Sequence, residues 1–160
     1  MASPKQSDHR GHSAGQYKFY SGVDRKKLQA ILRDRGFRST EGRLTMLSVI
    51  KASHQPLGVA DIATKCGSNL DETNVYRALE ALTMAGILNR TDLRLGGAHY
   101  EFNQHHHHHV TCTGCGTVKD LDMCEFDDVA KKALRQVRGF ASINSHSLEL
   151  FGTCSMCVKA

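Results

Sequence analysis

The chain has 160 residues, of which 40% are hydrophobic and 23% charged, and its formal net charge is +5. This length and composition suit one medium domain or two small ones. They exclude a protein built on membrane spans, because no apolar stretch is long enough to cross a bilayer. Residues 1–20 are too polar for a secretory signal peptide, so we expect a cytoplasmic protein without a membrane partner.

The charge is divided unevenly along the chain. Residues 1–103 hold 15 Lys and Arg against 10 Asp and Glu, whereas residues 104–160 hold 6 against 6. All of the excess positive charge therefore lies in the first part. A basic half beside a neutral half favours a polyanionic partner for the basic half.

The first part of the chain begins with a polar stretch and continues with helical periodicity. Residues 1–22 are rich in Ser, Gly, His and Lys and predict a flexible arm. From residue 23 the apolar spacing predicts a first helix that ends at Gly36 and a second that begins near Thr40. A short third helix is predicted at residues 59–65, after the break at Pro56.

The fourth helix has the clearest limits. Asp71 is its candidate N-cap, Gly86 is its stop, and the apolar residues between them recur on one face. Two strands are predicted after it, at residues 87–91 and 98–102, joined by a Gly-containing turn. Helices followed by a hairpin are typical of a winged helix-turn-helix, which we predict for residues 23–103.

The remaining part, residues 104–160, predicts a small α/β domain. Short strands are expected at residues 110–111, 117–121 and 147–151, with one amphipathic helix at about 125–138. The predicted fold class is therefore α+β, in two small domains preceded by an arm.

The start of the fourth helix is the candidate recognition element. The second helix of a helix-turn-helix presents its N-terminal side chains to the major groove, where they contact phosphates or base edges. A solvated polar helix face is the alternative interpretation. Asp71 and Glu72 repel phosphate, so further anchoring is expected from arginines near the second helix and from the basic arm. The candidate DNA-binding residues are Arg38, Thr40, Arg43, Thr73, Asn74, Tyr76 and Arg77.

Two Cys-x-x-Cys pairs lie in the last third of the chain. Four thiolates in two short loops match the tetrahedral preference of structural zinc, and a small domain with little apolar surface needs such support. Incidental disulfides are the alternative, which a reducing compartment disfavours. Cys66 and Cys124 have no partner at ligand spacing and are expected to be small buried or half-buried side chains. The predicted zinc ligands are Cys112, Cys115, Cys154 and Cys157.

An unbroken run of histidines, residues 105–109, precedes the first cysteine pair. A terminal affinity tag, a solvated polar loop and a nonspecific metal-buffering tract are three alternatives to a specific site. In a strand, alternate side chains point to opposite faces. His107 and His109 would then share one face and His106 and His108 the other, so the run can serve two sites.

Five segments of the chain form a pattern that spans roughly residues 23–157. They are Gly36 to Thr40 with Arg43, Thr73 to Leu79, Tyr100 to Phe102, His105 to Gly116, and His146 to Cys157. In this order they resemble the ferric uptake regulator family of metal-dependent transcriptional regulators.

The resemblance implies a homodimeric repressor of metal uptake and homeostasis genes that binds a double-stranded DNA operator. In the family, residues 104–160 correspond to the dimerisation domain, which the zinc bound by four cysteines stabilises. A divalent metal at the hinge between the domains acts as corepressor. Mixed nitrogen and oxygen donors suit Fe2+ or Zn2+, with Mn2+ as a third candidate, and do not name the physiological metal.

The resemblance also implies two sets of ligands for non-structural metal. The regulatory set is Glu101, His107, His109 and Asp120, and the second set is His106, His108, Asp127 and His146. The family's usual histidine from the first domain falls on Pro56. His54 either replaces that ligand or is an exposed residue.

Other interpretations remain open within and outside the family. Asp120, in place of Glu, resembles the peroxide-sensing branch, and a zinc-sensing branch is a further alternative, although its regulatory cysteine has no counterpart at Cys66 or Cys124. A histidine-rich metal buffer or chaperone would explain the histidine run but not the winged-helix order. The chain lacks a His-Glu-x-x-His motif and a nucleophile loop, so an enzyme is not predicted.

Overall fold

The computed structural model describes residues 22–67 and 71–158. The predicted arm lies outside the described residues, apart from Gly22. Within the described part of the chain, no helix is long and apolar enough to cross a membrane.

The first part of the chain forms four helices at the predicted places. Thr40 caps α2, because its hydroxyl accepts a hydrogen bond from the Arg43 backbone N–H. Asp71 occupies the N-cap position of α4 without a side-chain cap bond, and Gly86 follows the helix at a φ of +69° that favours glycine. The helices are α1 (Arg25–Asp34), α2 (Glu41–Ala52), α3 (Val59–Cys66) and α4 (Glu72–Met84).

The apolar faces of these helices form one core. Leu28 of α1, Leu44 and Leu47 of α2, Ile62 of α3 and Leu79 of α4 are fully buried in it. Burial of each such side chain contributes about 1.5–3 kcal/mol, against about 1 kcal/mol for a helix cap. The packed apolar faces therefore stabilise this unit more than the caps do.

The first sheet lies at the end of this helical unit. It consists of β1 (Leu57–Gly58), β2 (Leu88–Thr91) and β3 (His99–Phe102), in the order β1-β3-β2, with both pairs antiparallel. The hairpin was predicted, whereas β1, with two residues, is too short to show a period in sequence. Tyr100 and Phe102 point into the core, so Glu101 between them points to the opposite face.

The second part contains its own three-stranded sheet. Its strands are β4 (His108–Cys112), β5 (Val118–Leu121) and β6 (Glu149–Gly152), in the order β5-β4-β6. β4 pairs antiparallel with β5 and parallel with β6, and α5 (Phe126–Gln136) lies in the crossover between β5 and β6. A short α6 (Ser155–Val158), which was not predicted, follows β6. The predicted α+β class is confirmed.

The two parts contact each other directly. The Gln55 side-chain amide donates to the Val118 carbonyl oxygen at 3.0 Å, and the Thr91 hydroxyl donates to the Glu149 carboxylate at 3.1 Å. The Arg94 guanidinium lies 4.0 Å from the centre of the Phe151 ring. These contacts hold β3 close to β4 on the face of β3 that points away from the core and carries Glu101.

Tyr100 generates a prediction about the stability of the helical unit. Its ring is fully buried and its hydroxyl donates a 2.7 Å hydrogen bond to Glu80. Tyr100→Phe should lower the free energy of unfolding by about 1 kcal/mol, because a hydrogen bond to a partly exposed carboxylate is lost without a cavity. Urea unfolding measures this change. Tyr76→Phe, at an exposed ring, should change it by less than about 0.5 kcal/mol. Equal effects of the two substitutions would contradict the assignment.

Candidate metal centres

Among the described residues, three groups of side chains bring metal-ligating atoms within 4.8 Å of one another. The first is Cys112, Cys115, Cys154 and Cys157; the second is Glu101, His107 and His109; the third is His106, His108, Cys124 and His146. Three predicted ligands, His54, Asp120 and Asp127, lie outside these groups. One residue that was not predicted as a ligand, Cys124, lies inside.

The cysteine group forms where β4 and β6 end side by side. Their parallel register places Cys112 opposite Gly152, so the turn after β4 and the segment after β6 meet. The Cys115 and Cys154 sulfurs are 3.7 Å apart. Four sulfurs at about 2.3 Å from a tetrahedral zinc would be separated by about 3.8 Å. The spacing thus fits zinc.

The polarity of the turn also fits a cation bound by thiolates. Backbone N–H groups of Cys154, Cys115 and Gly114 lower the pKa of Cys112 to about 6. Hydrogen bonds to the neighbouring sulfurs of Cys154, Cys115 and Cys112 raise the pKa of Cys157 to about 12, so the four thiols do not all ionise at neutral pH without a compensating positive charge. A Cβ at Gly114 would lie 3.1 Å from the Cys157 sulfur, which is why glycine suits this position.

The second group joins the two parts of the molecule. Glu101 comes from β3, whereas His109 belongs to β4 and His107 immediately precedes that strand. The Nε2 atoms of His107 and His109 lie 3.1 and 3.2 Å from Glu101 Oε2. All three side chains are largely buried, and His109 Nε2 has no well-aligned hydrogen-bond partner. A buried nitrogen left without a hydrogen bond beside a carboxylate fits a ligand for a cation.

The electrostatics of this group favour an ionised carboxylate. Burial opposes the charge of Glu101, but the imidazoles of His109 and His107 outweigh burial and hold the pKa of Glu101 below its usual value. Burial also opposes the charge of His107, yet the His105 carbonyl and Glu101 raise the pKa of His107. The carboxylate between the two sheets is therefore held in its ionised form.

Asp120 and His54 lie at the border of this group. Asp120 is opposite His109 in the β4–β5 register, and its Oδ1 is 3.7 Å from His109 Nε2, with half of the side chain exposed. His54 is exposed and lines a cavity of about 320 Å³ together with Glu101, His107 and Asp120. Both residues thus line a cavity that Glu101 and His107 also line, but neither belongs to the group of converging ligand atoms.

The third group has a composition that differs from the prediction. His108 Nε2 lies 3.2 Å from Nε2 of both His106 and His146, and the Cys124 sulfur lies 3.3 Å from His146 Nε2. The expectation that Cys124 is a buried or half-buried side chain was wrong, because the residue is exposed. The connection from β5 to α5 brings its sulfur to His146. Asp127, in the first turn of α5, instead lines an adjoining cavity.

No local spacing could have revealed Cys124. It is separated by 22 residues from His146 and by 16 from His108, so its proximity depends on the path of the chain around β5. Burial lowers the pKa of His108, and the charges of His106 and His146 lower it further. The buried member of the group therefore remains in the neutral form that binds metal.

The candidate DNA-binding residues lie on the helical unit. Those of α4 are exposed near its N-terminus, with Tyr76 45% exposed. Arg38 is exposed, whereas the Arg43 side chain donates to the Arg38 carbonyl at 3.1 Å and lies over the Phe37 ring. An exposed α4 face is compatible with DNA contact, and the role of these residues stays a prediction.

The sequence profile described as the ferric uptake regulator family matches residues 34–151. The chain belongs to this family. Proteins of the family are metal-responsive transcription regulators and not enzymes.

Individual relatives agree in sequence and in fold. The chain is 32% identical over 136 residues to the ferric uptake regulation protein of Bordetella parapertussis, covering 82% of this chain and 96% of the relative. The structure of a ferric uptake regulator from Francisella tularensis with iron superposes with a TM-score of 0.64 at 28% identity, covering 77% of this chain and 96% of the other. The regulator of Vibrio cholerae gives 0.64 at 27% identity, covering 79% and 98%.

The cysteine group leads to a prediction about zinc content. Cys154→Ser should remove about one zinc per chain that otherwise resists a chelator, because a tetrahedral site loses one of its four ligands. Mass spectrometry of the metal after chelator treatment measures this loss. Cys66→Ala removes a buried thiol that lies outside all three groups and should leave the zinc content unchanged. Equal retention of zinc in Cys154→Ser and the unsubstituted chain would exclude the four-cysteine site.

Proposed function

We propose that this protein is a homodimeric, metal-responsive DNA-binding repressor in the cytoplasm that controls genes of metal uptake and homeostasis. In this proposal residues 23–103 are the winged helix-turn-helix domain and residues 104–160 the dimerisation domain. The main support for this proposal is the composition of the second donor group, in which Glu101 belongs to the first domain and His107 and His109 belong to the second. Asp120 and His54, on the same cavity, are proposed as additional ligands.

The position of this group explains how a corepressor would act. A divalent cation supplies a positive charge that ligands from both domains share. Glu101 and the two histidines lie close together only when the two domains are closed, so the cation binds the closed state more tightly than the open one. This difference in metal affinity stabilises the closed state. A coupling free energy of about 1–3 kcal/mol, or about 5–150-fold in DNA affinity, is the usual scale.

The proposed dimer is supported by an apolar surface on the second domain. Met123, Val129, Leu148 and Leu150 are exposed large side chains around a mainly apolar groove of about 470 Å³. Contiguous apolar surface of this kind is typical of an interface. A two-fold dimer would set the spacing of the two α4 helices on a pseudo-palindromic operator.

The donor chemistry distinguishes the proposed metals. The sulfur-only group suits structural Zn2+, whereas the carboxylate and imidazoles of the second group suit Fe2+, Zn2+ or Mn2+. The sensed metal is therefore proposed as a divalent ion of this set, and a buffered titration ranks the candidates.

Glu101→Gln provides the main test of the corepressor mechanism. In fluorescence-anisotropy titrations with a family-type operator, buffered Mn2+ or Zn2+ should raise the affinity of the unsubstituted protein by about 5–150-fold. Glu101→Gln should keep the metal-free affinity and lose this increase, because the hinge loses its anionic ligand. His105→Ala is the matched control, since it removes a histidine of the same run that lies outside the groups and keeps the carbonyl that His107 contacts.

Two results would contradict this mechanism. A full metal response in Glu101→Gln would exclude the proposed ligand set. Weak, salt-labile binding that is equal with and without metal in the unsubstituted protein would exclude the corepressor role and favour a metal buffer.

A second prediction concerns the DNA contact. Arg77→Ala should weaken operator binding by about 5–150-fold, corresponding to about 1–3 kcal/mol for loss of a base or phosphate contact. Lys132→Ala removes the same charge from exposed α5 and should change the affinity far less. Anisotropy at a fixed salt concentration measures both variants. Equal losses would show that only overall charge matters and would exclude the α4 contact.

A further inference from the structure

We propose that Cys124 is a thiolate ligand in the third donor group, which makes this group a site of three histidines and one cysteine, and that metal binding there fixes the position of α5. The proposal deepens the metal-responsive function stated above, because it assigns the chemistry and the structural effect of a second site. Its tests do not use DNA, so its failure and the failure of the corepressor mechanism are distinguishable.

The geometry of the group supports coordination by four side chains. Three imidazole nitrogens and one sulfur converge. His108 Nε2 lies 3.2 Å from Nε2 of both His106 and His146, and His146 Nε2 lies 3.3 Å from the Cys124 sulfur. All four donor atoms lie within 4.8 Å of one another, which is compatible with one ion bound by the four side chains. The Phe126 ring stacks on His146 at 4.1 Å and restrains the orientation of that imidazole.

The donor set predicts a metal preference. A thiolate with three imidazoles suits Zn2+ and disfavours Mn2+, for which carboxylate and other oxygen ligands are preferred. The group around Glu101 contains no sulfur. The two groups therefore differ in chemistry, although adjacent residues of one strand, His108 and His109, contribute to them.

The position of Cys124 couples the site to α5. The residue lies two positions before this helix, whereas His146 lies three positions before β6. The structure describes every residue of α5, and among them Ala130 alone is buried. Packing against the rest of the protein therefore holds this helix only weakly. If Cys124 and His146 both bind one ion, the ion links the start of α5 to the segment that leads into β6.

The same link reaches the apolar groove. Cys124 and His146 line both this groove and a neighbouring polar cavity of about 740 Å³. Because Val129 and Ala133 of α5 form one wall of the groove, the position of the helix sets its width. Occupation of the site would thus order the surface that we propose for the dimer.

Cobalt spectroscopy tests the ligand assignment. Protein that retains zinc in its four-cysteine group is titrated with Co2+, and absorption is recorded in the near-ultraviolet, where thiolate-to-Co2+ charge transfer occurs, and in the visible, where the ligand field is read. The unsubstituted chain should show both signals. Cys124→Ser should lose the charge-transfer band. Cys124→Asp should keep Co2+ binding through its carboxylate and also lack the band.

Two variants serve as matched controls. Asp127→Asn removes the neighbouring carboxylate that was predicted from sequence and should keep the band, as should Glu101→Gln at the other site. A band of equal intensity in Cys124→Ser and the unsubstituted chain would overturn the proposal. Loss of Co2+ binding in Asp127→Asn, read from the visible ligand-field absorption, with retained binding and an unchanged band in Cys124→Ser would also overturn it and assign Asp127 instead.

Hydrogen exchange tests the effect on α5. Zn2+ should slow exchange of the α5 amides by at least about tenfold in the unsubstituted chain and in Asp127→Asn, because the start of the helix is then fixed. Cys124→Ser should show no such slowing. Slowing that is equal in Cys124→Ser would show that α5 is ordered by another route and would overturn the structural part of the proposal.

Discussion

All three donor groups depend on the pleat of β4. Successive residues of this strand point to opposite faces, so His109 faces Glu101 of the first sheet while His108 faces His106 and His146. The strand then ends at Cys112, which brings the cysteine group to its C-terminal edge. A shift of one residue in its pairing would exchange the two histidines between the faces and dismantle both groups at once.

The neighbours of β4 keep this register. Antiparallel β5 sets Asp120 opposite His109, and parallel β6 sets Glu149 on the other side of the same residue. Glu149 also accepts the hydrogen bond from Thr91 in the first sheet. The central strand is therefore tied to both parts of the molecule at the position where Glu101 meets its histidines. Changes in the relative position of the two parts act directly on that group.

The three donor groups also differ in the type of ligand that they contain. Four sulfurs suit Zn2+, whereas the carboxylate and imidazoles between the sheets suit a divalent ion such as Fe2+, Mn2+ or Zn2+. The third group combines imidazole and thiol beside α5. The three groups thus differ in ligand type although β4 contributes a residue to each of them.

Local residue patterns were sufficient for most of the fold and for the cysteine group. The periodicity and end signals predicted α1 to α5 and the hairpin, because these depend on neighbours a few residues apart. The Cys-x-x-Cys spacing and the alternation of the histidine run are local in the same sense. Family resemblance paired the run with Glu101, a contact that the structure contains.

Long-range contacts required the folded chain. β1 is stabilised by β3 and has no period of its own, and the parallel pairing of β4 with β6 depends on a crossover through α5. The same crossover decides that Cys124, rather than Asp127, comes to His146. Sequence spacing carries no information about that choice, because the two candidates differ by less than one helical turn and only the path of the backbone orients them.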